Sequence, residues 1–105
     1  MTTDAPLTEE EFSRHLNTSF DVQVGDSQRV ELKLLKVEGY KERPGEEQGM
    51  ERFAVYFEGP AEPYLPQNTY TLEHERMGSN AIFIVPVGRS ADGFHYQAVF
   101  NYYRQ

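Results

Sequence analysis

The sequence contains no cysteine and no tryptophan. Without cysteine there are no disulfides, no thiolate metal ligands and no thiol nucleophile, and the redox state of the compartment is left open. Long apolar runs are also missing, and none approaches the ~18 residues a membrane-crossing helix needs. The opening stretch, MTTDAPLTEEEF, has neither the basic nor the apolar segment of a secretory leader, so the expectation is a soluble cytoplasmic protein. Basic charge is scarce: 10 Lys and Arg stand against 17 Asp and Glu, a net charge of -7. No basic stripe offsets that imbalance, so phosphate backbones and anionic lipid surfaces are repelled. Nucleic acid and membrane insertion are therefore not expected.

What remains is 105 residues, enough for one domain and one core. A folded chain of 12.2 kDa hides about two-thirds of the surface its unfolded form exposes, which suffices without metal or cross-links. The charge is unevenly placed. Residues 1–62 carry 14 acids and 7 bases, whereas residues 63–105 carry 3 of each together with 8 of the 14 aromatic residues. The chain thus divides into a charged part and a neutral, tyrosine-rich part.

The period of the apolar residues predicts one short helix followed by strands. Residues 1–6 read as a flexible arm. Thr8 with Glu11 forms a capping box, Leu7 and Phe12 fit a hydrophobic staple, and Glu9, Glu10 and Glu11 suit the positive end of a helix. Phe12 and Leu16, four apart, would dock that helix, and Asn17 would stop it. From residue 19 the period changes to two. Phe20 to Val24 and Arg29 to Tyr40 read as a hairpin, with a phase slip at Leu34-Leu35 that predicts a bulge or a strand crossing between layers. KERPGEEQG, residues 41–49, lacks aliphatic and aromatic side chains and reads as a mobile loop. Strands follow over Arg52–Glu58, Thr69–His74, Ala81–Val87 and Phe94–Asn101. AIFIVPV, residues 81–87, is apolar throughout and predicts burial on both faces, with Pro86 at a strand end or bulge. The three prolines of GPAEPYLPQN make a rigid connector, with Tyr64 and Leu65 folding back over a sheet end. One helix and about six strands without β-α-β alternation predict a mainly β fold, either a small antiparallel barrel or a two-layer sandwich.

Chemistry-bearing residues are sparse. His74 and His95, on strands that could be neighbours, would need Glu73 or Glu75 to complete a two-histidine, one-carboxylate metal site, and no HxH or HxxxH spacing supports one. No metal and no cofactor is expected. Ser90, in GRSADG, reads as a turn residue, and no serine stands in a Gly-x-Ser-x-Gly elbow. The tyrosines suit contact surfaces, because each offers an apolar ring with a polar tip. Tyr64, Leu65, Tyr102 and Tyr103, in a connector and a terminus, are the candidates for a protein interface. Phe53, Phe57, Tyr70, Tyr96 and Phe100 would line a pocket if the barrel held a small ligand.

The runs LPQNTYTLEH (65–74), FIVPVGR (83–89) and YQAVFN (96–101) resemble a family of small uncharacterised bacterial domains with the pattern LPQ-x-TY-x-LEH, FLVPVG and YEAVFN. The resemblance covers residues 53–101 well and the N-terminal part loosely. Asn68 replaces the family's usual glycine; both residues tolerate positive φ, so the turn survives. The family has no assigned activity and no known catalytic residues, so the resemblance implies none for this chain. Its members occur beside phage-tail-collar, microcystin-dependent-type proteins, which implies an accessory or structural role. The leading expectation is therefore a non-catalytic interaction or structural module with a protein partner, a homo-oligomer being open. The alternatives are a small-ligand-binding barrel and an enzyme using His74 with a neighbouring carboxylate.

Overall fold

The computed structural model describes residues 7–25, 28–39 and 50–103, excluding the side chains of Met50, Glu51, Tyr102 and Tyr103. The expected arm at residues 1–6 and loop at 41–49 lie outside the described residues. One short helix, α1 (Glu9–Ser13), precedes six strands: β1 (Ser19–Val24), β2 (Gln28–Gly39), β3 (Met50–Pro60), β4 (Asn68–His74), β5 (Gly78–Arg89) and β6 (Gly93–Tyr103). They close into an antiparallel barrel in the order β1-β2-β3-β6-β5-β4. The barrel alternative is thus the one adopted. It consists of two three-stranded meanders, β1–β3 and β4–β6. Eleven register pairs join them along β3 and β6, and two, Asp21 with Glu73 and Val22 with Leu72, join them along β1 and β4.

This topology explains both closures of the barrel. Strands β3 and β4 are consecutive in sequence but not neighbours in the sheet, so residues 61–67 must cross the upper mouth. Leu65 turns inward there, 1% exposed, and its amide donates to the Tyr96 hydroxyl at 3.0 Å. Tyr70 secures the same segment by donating its hydroxyl to the Pro66 carbonyl at 2.7 Å. Leu65 is therefore part of the core and offers no surface to a partner. At the lower mouth, Thr8 caps α1 by accepting the Glu11 amide at 3.0 Å, as the sequence predicts. Phe12 then enters the barrel, its ring 5.5 Å from Phe100, 5.9 Å from Phe53 and 6.2 Å from Phe20. The helix is shorter than expected. It ends at Ser13, and Asn17 at φ 67° closes the turn that follows. Leu16 falls in that turn and is exposed rather than docked. A five-residue helix is too short to persist by itself, so burial of Phe12 must hold it.

Two strands depart from simple alternation. In β2 the register slips between Leu34 and Lys36, leaving Leu35 as the extra, exposed residue of the expected bulge. In β5 it slips between Pro86 and Gly88, so Pro86 stands beside a bulge where its missing N–H is tolerated. The expectation that residues 81–87 are buried on both faces is overturned. Ile82 and Ile84 point inward, 2% and 0% exposed, while Phe83 and Val87 are 52% and 50% exposed. A closed barrel has only one buried face, so an unbroken apolar run must put half its side chains outside.

Candidate functional site

Three places on the barrel gather polar or apolar groups that could act. The first surrounds His74, at the lower end of β4. The β4–β5 turn folds back so that the amides of Arg76 and Met77 donate to His74 Nδ1 at 2.9 and 3.2 Å. Nδ1 is thus the unprotonated nitrogen. Nε2 lies 2.9 Å from Thr18 Oγ1, whose hydroxyl donates to the His15 carbonyl at 2.6 Å. The proton on Nε2 must then be the one shared with Thr18. The imidazole is 8% exposed, 4.5 Å from the Phe20 ring and 4.7 Å from the His15 ring. Burial, and secondarily His15, hold its pKa below the usual histidine value. Both ring nitrogens are engaged inside the fold, so His74 has no lone pair to lend to a substrate. The neighbouring carboxylates point elsewhere: Glu73 is exposed and faces Arg29 at 3.7 Å, and Glu75 is exposed.

The second place is an open depression of about 340 Å³ at the upper rim, lined by Glu31, Lys33, Glu58, Gly59, Pro60 and Asp92. Beside it Glu58 Oε2 accepts from Ser90 Oγ and from His95 Nε2, each at 3.2 Å. The composition is that of a serine-histidine-acid set, but the order is wrong. The carboxylate sits between the other two, so the imidazole that would serve as general base does not touch the serine. Ser90 Oγ also lies 3.3 Å from the Gly93 carbonyl and accepts the Gly93 amide at 3.1 Å, the turn role read from its sequence. His74 and His95 are not neighbours, because β5 separates β4 from β6. Among the described residues, no three His, Asp or Glu side chains converge as metal donors would.

The third place is the outer wall of β4, β5 and β6. Register pairs Thr69 with Phe83 and Thr71 with Ala81 across β4 and β5, and Val85 with Gln97 across β5 and β6. Val99 lies two residues beyond Gln97 on β6, as Phe83 lies two before Val85 on β5, and it is 54% exposed. Neither β5 between Gly78 and Gly88 nor β6 carries a formally charged residue if histidine is neutral. Charge resumes on the opposite wall with Arg29, Glu31, Lys33, Lys36 and Glu38 on β2. Between the walls runs a polar strip in which Gln97 donates to the Tyr56 hydroxyl at 2.9 Å and Tyr56 donates to Glu38 at 3.2 Å. An apolar centre with a polar margin is how protein contact surfaces are composed.

The residues expected to form an interface are scattered. Tyr64 is 49% exposed at the upper end, its ring 4.9 Å from Phe94, and Leu65 is buried. The side chains of Tyr102 and Tyr103 lie outside the described residues. The five rings expected to line a pocket sit together instead. Phe53, Phe57 and Tyr96 are fully buried, Tyr70 and Phe100 half-buried against them, and Phe53 stacks on Phe100 at 4.9 Å. Phe83 and Val99 were not singled out by the sequence reading. The signal for Phe83 is present in AIFIVPV, where it alternates with isoleucine at a position a one-faced barrel must expose, and that for Val99 in its phase opposite Ala98 and Phe100.

Fold and site together define a small closed β-barrel domain with a filled interior and an outer wall that is free of formal charge along β6 and most of β5. Residues 7–100 match the family described as Domain of unknown function (DUF6916), and the chain belongs to that family. No curated protein and no solved structure matches the chain. No helix among the described residues is long and apolar enough to cross a membrane.

Proposed function

We propose that the protein is a non-catalytic interaction module that binds a protein partner through the outer wall of β4–β6. The observation that carries this reading is the exposure of Phe83, Val87 and Val99, each about half open to solvent on β5 and β6, which carry no formal charge between Gly78 and Gly88 and over Gly93–Tyr103 with histidine neutral. A monomer gains nothing by keeping such side chains in water, where apolar area costs about 25 cal/mol per Å². The ligand-barrel alternative is less well supported, because the rings it needs occupy the interior themselves. The enzyme alternative is weakened by the full engagement of His74. The resemblance to domains found beside phage-tail-collar proteins supports a place in a phage-tail-like or surface assembly.

The test is affinity capture from the source organism with the wild-type chain and with Phe83→Glu and Val99→Glu. The expected result is a protein retained by wild type and lost from both variants, while Glu31→Gln on the charged wall keeps it. Capture that is identical for all four chains refutes the reading.

A further inference from the structure

Independently of any partner, we infer that His74 is an acid-sensitive gate on the lower mouth: a proton on Nδ1 releases the β4–β5 turn and bares Met77, while β3 and β6 stay paired. The closed geometry accepts only the neutral ring. Nδ1 faces two donors, the Arg76 and Met77 amides, and a backbone amide cannot turn round to accept. With an N–H on Nδ1 the three donors confront one another. Either the turn leaves the ring or the ring leaves its pocket, and both movements free the Met77 amide. The Met77 side chain is fully buried in the core and comes out with the turn. Asn80 donates its side-chain amide to the Met77 carbonyl at 3.1 Å, but it belongs to the same hairpin and moves with it.

The groups around the ring favour release over a charged, closed form. From α1 and the turn after it come Glu11 and His15, the two imidazoles 4.7 Å apart and His15 Nε2 3.3 Å from Glu11 Oε2. From the β4–β5 turn come Glu75 and Arg76. From β1 comes only the uncharged Phe20 ring at 4.5 Å. Burial, then His15, weigh most against the charged ring, and Arg76 adds to them; Glu75 and Glu11 oppose. Moving the ring or the turn admits water and relieves the burial, so opening accompanies protonation. It stays local because the seams are unequal. β4 meets β1 at two register pairs, whereas β3 and β6 share eleven.

Linkage bounds the response. In the open form the imidazole titrates near the ordinary 6.5, and in the closed form below it. The ratio of open to closed molecules is therefore flat above about pH 6.5 and rises below it. By pH 5 it exceeds the neutral value by at most about thirtyfold.

Two measurements at pH 7.5 and 5.0 test the gate. Oxidation of Met77 by hydrogen peroxide, followed by mass spectrometry and normalised to free methionine, should quicken at pH 5 by about 5- to 30-fold. In native-state hydrogen exchange, corrected for the intrinsic effect of pH, the Arg76 and Met77 amides should lose protection by a similar factor while the amides of β3 and β6 keep theirs. His74→Asn offers an oxygen to the same two amides and does not titrate in this range, so both effects should vanish. If circular dichroism shows that variant unfolded, the wild-type contrast between Met77 and the β3–β6 amides decides alone. A Met77 rate that does not rise at pH 5, protection lost equally along β3 and β6, or an effect that persists in folded His74→Asn overturns the gate.

Discussion

Replacing His74 by leucine removes the acceptor that holds the β4–β5 turn, and the structure gives the cost. The Met77 amide is buried and would lose its only described partner, for about 1–3 kcal/mol. The more exposed Arg76 amide and the link to Thr18 each add about 0.5–1 kcal/mol. The expected loss at pH 7.5 is thus about 2–5 kcal/mol, a drop in Tm on the order of 10–25 °C for a domain of this size. A second effect separates the imidazole's chemistry from its volume. Burial is the main cause of the lowered pKa; His15 and Arg76 push the same way, while Glu75 and Glu11 oppose them. As pH falls, the unfolded chain therefore takes up its proton first, near 6.5. The stabilisation is whole above about pH 6.5 and is lost as pH drops from there toward the lower, folded-state value. A proton arriving on Nδ1 would also displace the two amides bound there. Urea denaturation of wild type and His74→Leu at half-unit steps from pH 8 to 4.5 gives both readings. The two curves should converge as pH falls. A constant offset between them, or a variant as stable as wild type at pH 7.5, would refute the latch described here.

Three further substitutions probe the closures. Tyr96→Phe leaves the buried Leu65 amide without its acceptor and should cost about 1–3 kcal/mol by denaturant unfolding, with the far-UV spectrum unchanged. Thr8→Ala removes the cap of α1 and should cost about 1 kcal/mol, while Thr8→Ser should restore most of it. Gly93→Ala places a methyl group against the Gly59 carbonyl oxygen, where backbone must move, and should cost several times more than the same change at Gly88, whose surroundings are open. Equal melting temperatures for the two alanine variants would contradict that packing.

Much of the barrel was legible because its signals are local. The capping box, the period-two strands, the slip at Leu34-Leu35 and the constraint on Pro86 are written within a few residues of where they act. What failed depended on closure. Whether residues 81–87 lie in a doubly covered sheet or in a barrel wall is decided by how six strands meet, and no window of seven residues contains that. The same holds for Leu65, which reads as a surface residue until β3 and β4 are found apart and the connector is forced over the mouth. His74 was legible as a strand end, but its engagement by the Arg76 and Met77 amides needs the turn's geometry. The exposed face of β5 escapes a local reading for the first of these reasons: nothing within residues 81–87 says that half of an apolar run must face out.

The barrel is stitched unevenly around its circumference. Along β3 and β6 the meanders share eleven register pairs; along β1 and β4 they share two. A cylinder closed that way opens like a book along its thin side, with the thick side as spine. Thr18, just before β1, meets His74 at the end of β4 across the lower end of that thin side, so the His74 latch acts as its clasp, while the helix packs against β2 and β3.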